Sequence, residues 1–135
     1  MRKGVRASAT MAGLTGAGGL ILAAADAHLV PDTRLHTAAS LMLLHAVAAI
    51  ALTSLALAVP QRGIWFVSAA GMLLSGSVIF GCDLTLRALL ATRLFPMAAP
   101  LGGSLLILGW IIIALAAVVI LRPSHSGTGD QIIDK

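Results

Sequence analysis

Four stretches of this sequence are long and apolar enough to cross a bilayer, and that feature limits every other choice open to the chain. A spanning helix needs about 20 predominantly apolar residues. Runs of that kind occupy about 7–27, 37–59, 64–84 and 103–121. The second, TAASLMLLHAVAAIALTSLALAV, stops at Pro60, which cannot continue a helix. The third opens with Trp65 and Phe66, aromatics suited to the headgroup level. The fourth contains Trp110 and closes on Arg122-Pro123. No alternating pattern suggests strands, and in lipid a helix satisfies its own backbone groups. A soluble helical domain with a greasy core fails on composition: 59% of the residues are hydrophobic and 10% charged, against roughly a quarter charged in soluble domains.

The spacing predicts an all-α integral membrane protein whose four transmembrane helices form an antiparallel bundle. A single domain over 1–122 is followed by a disordered tail at 123–135. Short links at 30–36 and 60–63 favour antiparallel neighbours. The third link carries Pro96 and Pro100 and reads as an interfacial half-helix ending in a turn. The first run could instead be a secretory leader, because MRKGVR supplies a basic start and Ala25-Asp26-Ala27 a small-x-small site. Its middle, SATMAGLTGAGG, is rich in glycine and threonine where a leader needs a strongly apolar stretch. We therefore expect it to be a retained span.

Charge sets the expected orientation. Four spans put Arg2, Lys3, Arg6, Arg62, Arg122 and Lys135 on one side and Arg34, Arg87 and Arg93 on the other. Lys and Arg accumulate on the cytoplasmic side, so both termini are expected there, in the inner (plasma) membrane of a bacterium. Asp26, Asp32 and Asp83 fall on the far side, and Asp130 and Asp134 with the termini. The net charge of +4 is thus a topology signal. Nucleic-acid binding requires basic residues gathered on one face, and here they sit at the ends of apolar runs. Cys82 is the single cysteine, which excludes an intrachain disulfide and a cysteine-based zinc site.

Folded in this way, the chain gathers Asp26, His28, His36, His45, Asp83 and Arg87 at one end. A charge at mid-bilayer costs roughly 2.5–3.5 kcal/mol on insertion scales, but a helix end reaches water. Asp83 and Arg87, four apart, are spaced to pair along their helix. His45 lies deeper, and a neutral imidazole there still needs a partner for its N–H. Ser40, Ser75, Ser77, Asp26 or a carbonyl could supply one. An interhelical hydrogen bond is the plain reading of His45, and a proton, quinone, haem or metal site the sharper one. A metal is not expected, since Asp26 and His28 stand about 200° apart around a helix. No cofactor is assigned, with haem and quinone left open.

Small residues are the remaining pattern. Gly13 and Ala17 stand four apart on the first helix, and Gly71, Ser75, Val78 and Cys82 form a stripe on the third. Gly13, Gly71, Gly76, Gly102, Gly103 and Gly109 are read as packing positions, because small side chains let membrane helices approach closely.

Four of these segments, DAHL closing the first helix, TAASLMLLHA opening the second, GMLLSGS in the third and APLGGSLLILGW in the fourth, stand in the order and spacing of a known family. The chain from Gly13 to Ala117 resembles the DUF423, or transmembrane protein 256, family of small four-helix membrane proteins. The resemblance places the family's Ala-His pair on Ala27-His28 and its Thr-Ala…His pattern on Thr37, Ala38 and His45. Its Ser-Gly-Ser falls on Ser75, Gly76 and Ser77, and its Pro-x-Gly-Gly…Gly-Trp on Pro100, Gly102, Gly103, Gly109 and Trp110. The chain departs from the pattern where Asp26 replaces Gly, Leu41 replaces Tyr and Ala99 replaces Thr. It departs again near Leu74, where the family has an aromatic, and near Ile79, where it has Tyr. Any polar network in the family is therefore rewired here. The resemblance implies a fold and a membrane location and no established activity.

No catalytic constellation is evident, so we do not expect an enzyme. The sequence points to a non-catalytic accessory or scaffold subunit that packs against a larger membrane complex, respiratory or energy-transducing. Its partners would be lipid and other membrane protein subunits. The alternative is a protein that handles protons or quinone, or transports a small solute, through the His/Asp cluster.

Overall fold

The structure, a computed structural model, describes residues 2–120. Arg122, Asp130, Asp134, Lys135 and the tail expected at 123–135 lie outside the described residues. Four helices follow one another: α1 Arg2–His28, α2 Thr33–Ala58, α3 Gly63–Leu89 and α4 Ala98–Ile120. They contain 27, 26, 27 and 23 residues, about 35–40 Å at 1.5 Å per residue. That exceeds a hydrocarbon core of about 30 Å. All four are long and apolar enough to span. The protein is a multi-pass membrane protein built as an all-α four-helix bundle.

Each helix outruns its apolar stretch, because hydropathy marks the lipid-facing length while capping sets where a helix stops. α2 begins at Thr33, where the Asp32 carboxylate accepts the Arg34 N–H at 2.7 Å, an N-cap arrangement. It ends just before Pro60. α3 continues past Asp83 and Arg87 to Leu89 and is stopped by Ala91, in the left-handed region at φ 52°. The expected half-helix is therefore the tail of α3 and the head of α4, and the link between them covers only 90–97. Met97 (φ 71°) turns the chain into α4. Pro100 is tolerated in the first turn of α4, where its missing N–H has no intrahelical acceptor to lose.

α2 and α3 form the centre of the bundle. α1 lies along α2 with a lesser contact to α3, while the backbone of α4 approaches that of α3 alone among the described residues. The core between them is built largely of alanine, including Ala12, Ala49, Ala56, Ala69 and Ala70, with Leu73 and Phe66 filling the gaps. Cys82, expected as a small packing residue, is exposed.

The glycines divide sharply. A Cβ on Gly76 would stand 2.8 Å from the Gly102 carbonyl, one on Gly102 2.8 Å from the Phe80 amide nitrogen, and one on Gly109 2.7 Å from Leu73. These three set how closely α3 and α4 approach. On α1, Gly16, Gly18 and Gly19 meet Ala46, Met42 and Leu43 of α2. Gly13, Gly71 and Gly103 have nothing within 4 Å of that position, so they are not packing positions within the chain. Each is on the same helix as a packing glycine but turned away from its seam.

Candidate functional site

The polar residues assemble from the helix ends inward. Asp26, in the last turn of α1, accepts the Asp32 N–H at 3.0 Å through one oxygen and faces His36 Nδ1 at 3.3 Å through the other. Asp83, near the end of α3, accepts the Leu94 N–H at 2.9 Å and pairs with Arg87 at 2.6 Å. Arg34, at the start of α2, donates to the Arg87 carbonyl at 3.1 Å. Each carboxylate thus clamps the link that follows its helix, and Arg34 ties the two clamps together.

The clamps differ in burial. Asp83 is fully buried, whereas the Asp26 side chain is 19% exposed and that of its partner His36 73%. The Asp83–Arg87 contact is close but poorly aligned, since neither Asp83 Oδ2 nor Arg87 Nε forms a directional hydrogen bond. Its contribution is Coulombic, with Arg87 still partly open to solvent. His28 is exposed at the end of α1 and joins neither clamp in the described contacts.

His45 stands apart from this group. Because α2 begins at Thr33, His45 is about 18 Å along the helix axis at 1.5 Å per residue, at the helix midpoint and deeper than the apolar run implied. It is 3% exposed. Nδ1 lies 2.7 Å from the Leu41 carbonyl, and Trp110 Nε1 lies 3.4 Å from Nε2. A carbonyl only accepts and an indole N–H only donates, so the two partners select the tautomer with the proton on Nδ1. The rings meet edge to face, with centroids 6.3 Å apart. This contact joins α2 to α4, whose backbones do not otherwise approach.

Ser75, read from the sequence as a candidate neighbour of His45, donates to the Gly71 carbonyl of its own helix at 2.7 Å and is exposed on another face. Ser77 is fully buried and bonds the Leu74 carbonyl at 3.0 Å. The candidate residues therefore form two separate groups, a pair of loop clamps and a mid-membrane His–Trp contact. They do not converge on one cavity. Among the described residues no three of His, Cys, Asp and Glu stand close enough to hold a metal ion.

Four participants were not singled out from sequence: Arg34, the Asp32 and Leu94 amides, and Trp110 as the partner of His45. No curated protein and no solved structure matches the chain at a significant level. The family profile described as "Protein of unknown function (DUF423)" matches residues 15–103, well over half of the chain, spanning both clamp-bearing helix ends and the Gly76–Gly102 seam. The protein belongs to the DUF423 family.

Proposed function

We propose that the protein is a non-catalytic accessory subunit or scaffold, an antiparallel up-and-down bundle with both termini in the cytoplasm of a bacterium. On this reading it sits in the inner membrane beside a larger respiratory or energy-transducing complex. The likeness to transmembrane protein 256 falls under the same reading. Support for the topology comes from contact order. Gly16 meets Ala46 while Gly19 meets Ala39, and Gly76 meets Leu106 while Gly109 meets Leu73, so numbers run in opposite directions across each seam.

The observation that carries the scaffold reading is the outward face of α1. Between the exposed Leu14, Leu20 and Ile21 runs a strip of small exposed residues, Thr10, Gly13 and Ala17, and a Cβ on Gly13 would meet nothing within 4 Å. Small outward residues give lipid chains little to pack against and give a foreign helix a close seat. The polar groups, meanwhile, are engaged in holding links and helices of the chain itself, which leaves proton or quinone chemistry without a supporting observation.

The test is purification of the full chain in native lipid, comparing wild type with Gly13→Leu. Wild type should co-purify with a discrete membrane complex, and the variant should lose it while keeping helicity and yield. A wild-type protein recovered only as a monodisperse, partner-free species would defeat the reading.

A further inference from the structure

α1 and α3 diverge after their first turns, and the space between them is a groove of about 450 Å³. That lies within the roughly 300–1,000 Å³ of small-molecule clefts. Ser8 and Leu74 are buried at its floor, and Ala7, Met11, Gly71 and Ser75 are exposed at its rims. It stays open because its α3 rim is small. A Cβ on Gly71 would meet nothing within 4 Å, and the Ser75 hydroxyl is spent on its own helix carbonyls at Gly71 and Met72. The walls therefore offer a guest almost only hydrocarbon.

The groove opens beside a concentration of positive charge. Gly4 of α1 abuts Val67 of α3, so the first turns of the two helices are level and the groove begins one turn further in, at Ala7 and Gly71. Arg2, Lys3 and Arg6 are exposed on those first turns of α1; Lys3, one turn before Ala7, is on the groove side, while Arg2 and Arg6 are on the face of Gly13. Arg62, before α3, turns to α4 and donates to the Val119 carbonyl at 2.8 Å. No acid occurs on α1 before Asp26, nor on α3 before Asp83. The three acids of the described residues are all at the opposite helix ends or in the link there, as Asp26, Asp32 and Asp83. An apolar trough in a membrane helix pair, with an exposed lysine at its mouth and no acid beside it among the described residues, matches a molecule with an acyl chain and an anionic head.

We propose that the α1–α3 groove seats an acyl chain of an acidic phospholipid whose headgroup is held by Lys3. The site goes beyond the scaffold reading and does not depend on it, since the Gly13 face lies on another side of α1.

The test uses the full chain reconstituted with equal parts phosphatidylglycerol and phosphatidylcholine, extracted into mild detergent, with retained lipid read by native mass spectrometry. Phosphatidylglycerol should be retained over phosphatidylcholine by roughly five-fold, as one surface cation allows. Lys3→Gln should erase that preference without emptying the groove, whereas Arg6→Gln, on the Gly13 face, should leave it in place. Gly71→Leu, which meets no neighbour at Cβ, should keep helicity by circular dichroism and lose both lipids, and Ser75→Leu should do the same. Equal retention of the two lipids by wild type would overturn the proposal. So would undiminished retention by both groove variants, or a groove variant that changes oligomeric state in place of lipid content, which would mark the groove as a contact between copies. Displacement of the lipid by glycerol phosphate alone would reduce it to an anion site and equally sink it.

Discussion

The two outer helices, α1 and α4, bury the same small share of their spanning windows, yet their surfaces are unlike. α4 is the most apolar of the four and faces outward with Leu101, Ile107, Leu108, Ile111, Leu115 and Val118. α1 is the least apolar and presents Thr10, Gly13 and Ala17 among its exposed residues. In water both would count as unfinished surfaces. In lipid the large aliphatics of α4 are a finished one, because acyl chains solvate them as well as a protein core would. On α1 the equally exposed Leu14, Leu20 and Ile21 are finished surface too, and only the strip of Thr10, Gly13 and Ala17 between them offers little side chain to solvate. Exposure therefore carries different meanings on the two helices, and side-chain size tells them apart.

The way each helix is attached differs as well. α4 is held by a backbone-to-backbone approach at Gly76 and Gly102, where a Cβ would come within 2.8 Å of backbone, while α1 meets α2 through Gly16 and Gly18 against side chains and reaches α2 backbone only at Gly19, at 3.2 Å. The largest effect is expected at the first of these. Gly102→Val drives a branched side chain into the Phe80 amide and the Gly76 carbonyl, neither of which can move aside as a flexible side chain would. Overpacking of this kind costs about 3 kcal/mol, measured as reversible unfolding in detergent, with α4 released first in hydrogen exchange. Gly103→Val, one residue on, meets nothing and should change stability by less than about 0.5 kcal/mol. Equal losses at the two positions would show that α4 is not seated by this contact.

The clamps sharpen the comparison from the other end of the helices. Asp83→Ala removes the acceptor for the Leu94 amide and leaves Arg87 without its partner. Breaking a buried pair costs several kcal/mol; Arg87 is 30% exposed, so about 2 kcal/mol is expected, with faster exchange across 90–97. Pairing that change with Arg87→Leu should recover part of the loss, because the stranded cation is gone. Asp26→Ala loses a comparable backbone bond but only an exposed imidazole partner, and about 1 kcal/mol is expected. If Asp26 proved the more costly of the two, the link after α1 would be the more constrained one.

Much of this was legible in the residues. Four runs of the right length give four helices, Pro60 marks a real boundary, and the i,i+4 spacing of Asp83 and Arg87 gives a real pair. The glycines were legible only in part. Gly102 and Gly103 are equivalent as letters, and which one faces α3 is decided by a helix phase of about 100° per residue that hydropathy does not fix. Helix starts were misjudged for a related reason: Asp32 caps α2 with a side-chain acceptor, and Ala98 begins α4 behind a left-handed Met97, signals independent of apolarity. Counted from Thr33 and Ala98, His45 and Trp110 each stand twelve residues in, at matching depth. Counted from 37 and 103 they stand eight and seven residues in, so the match in depth was legible from the apolar runs as well and went unread.

The smallest expected effect follows from that contact and bears on what holds α4 to the rest of the bundle. Trp110→Phe keeps an aromatic ring beside His45 but deletes the indole N–H that reaches Nε2. At 3.4 Å the bond is at the long end of the useful range, and a net intramolecular hydrogen bond is worth about 0.5–1.5 kcal/mol, so a loss of about 0.5 kcal/mol is expected. The Leu41 carbonyl still accepts from Nδ1, which should keep the imidazole in the same tautomer by nitrogen chemical shift, with only the Nε2 resonance moving. A Phe variant as unstable as Gly102→Val would mean that the side-chain bridge from α2, and not the glycine seam on α3, carries α4. The contrast between the two outer helices would then rest on the wrong contact.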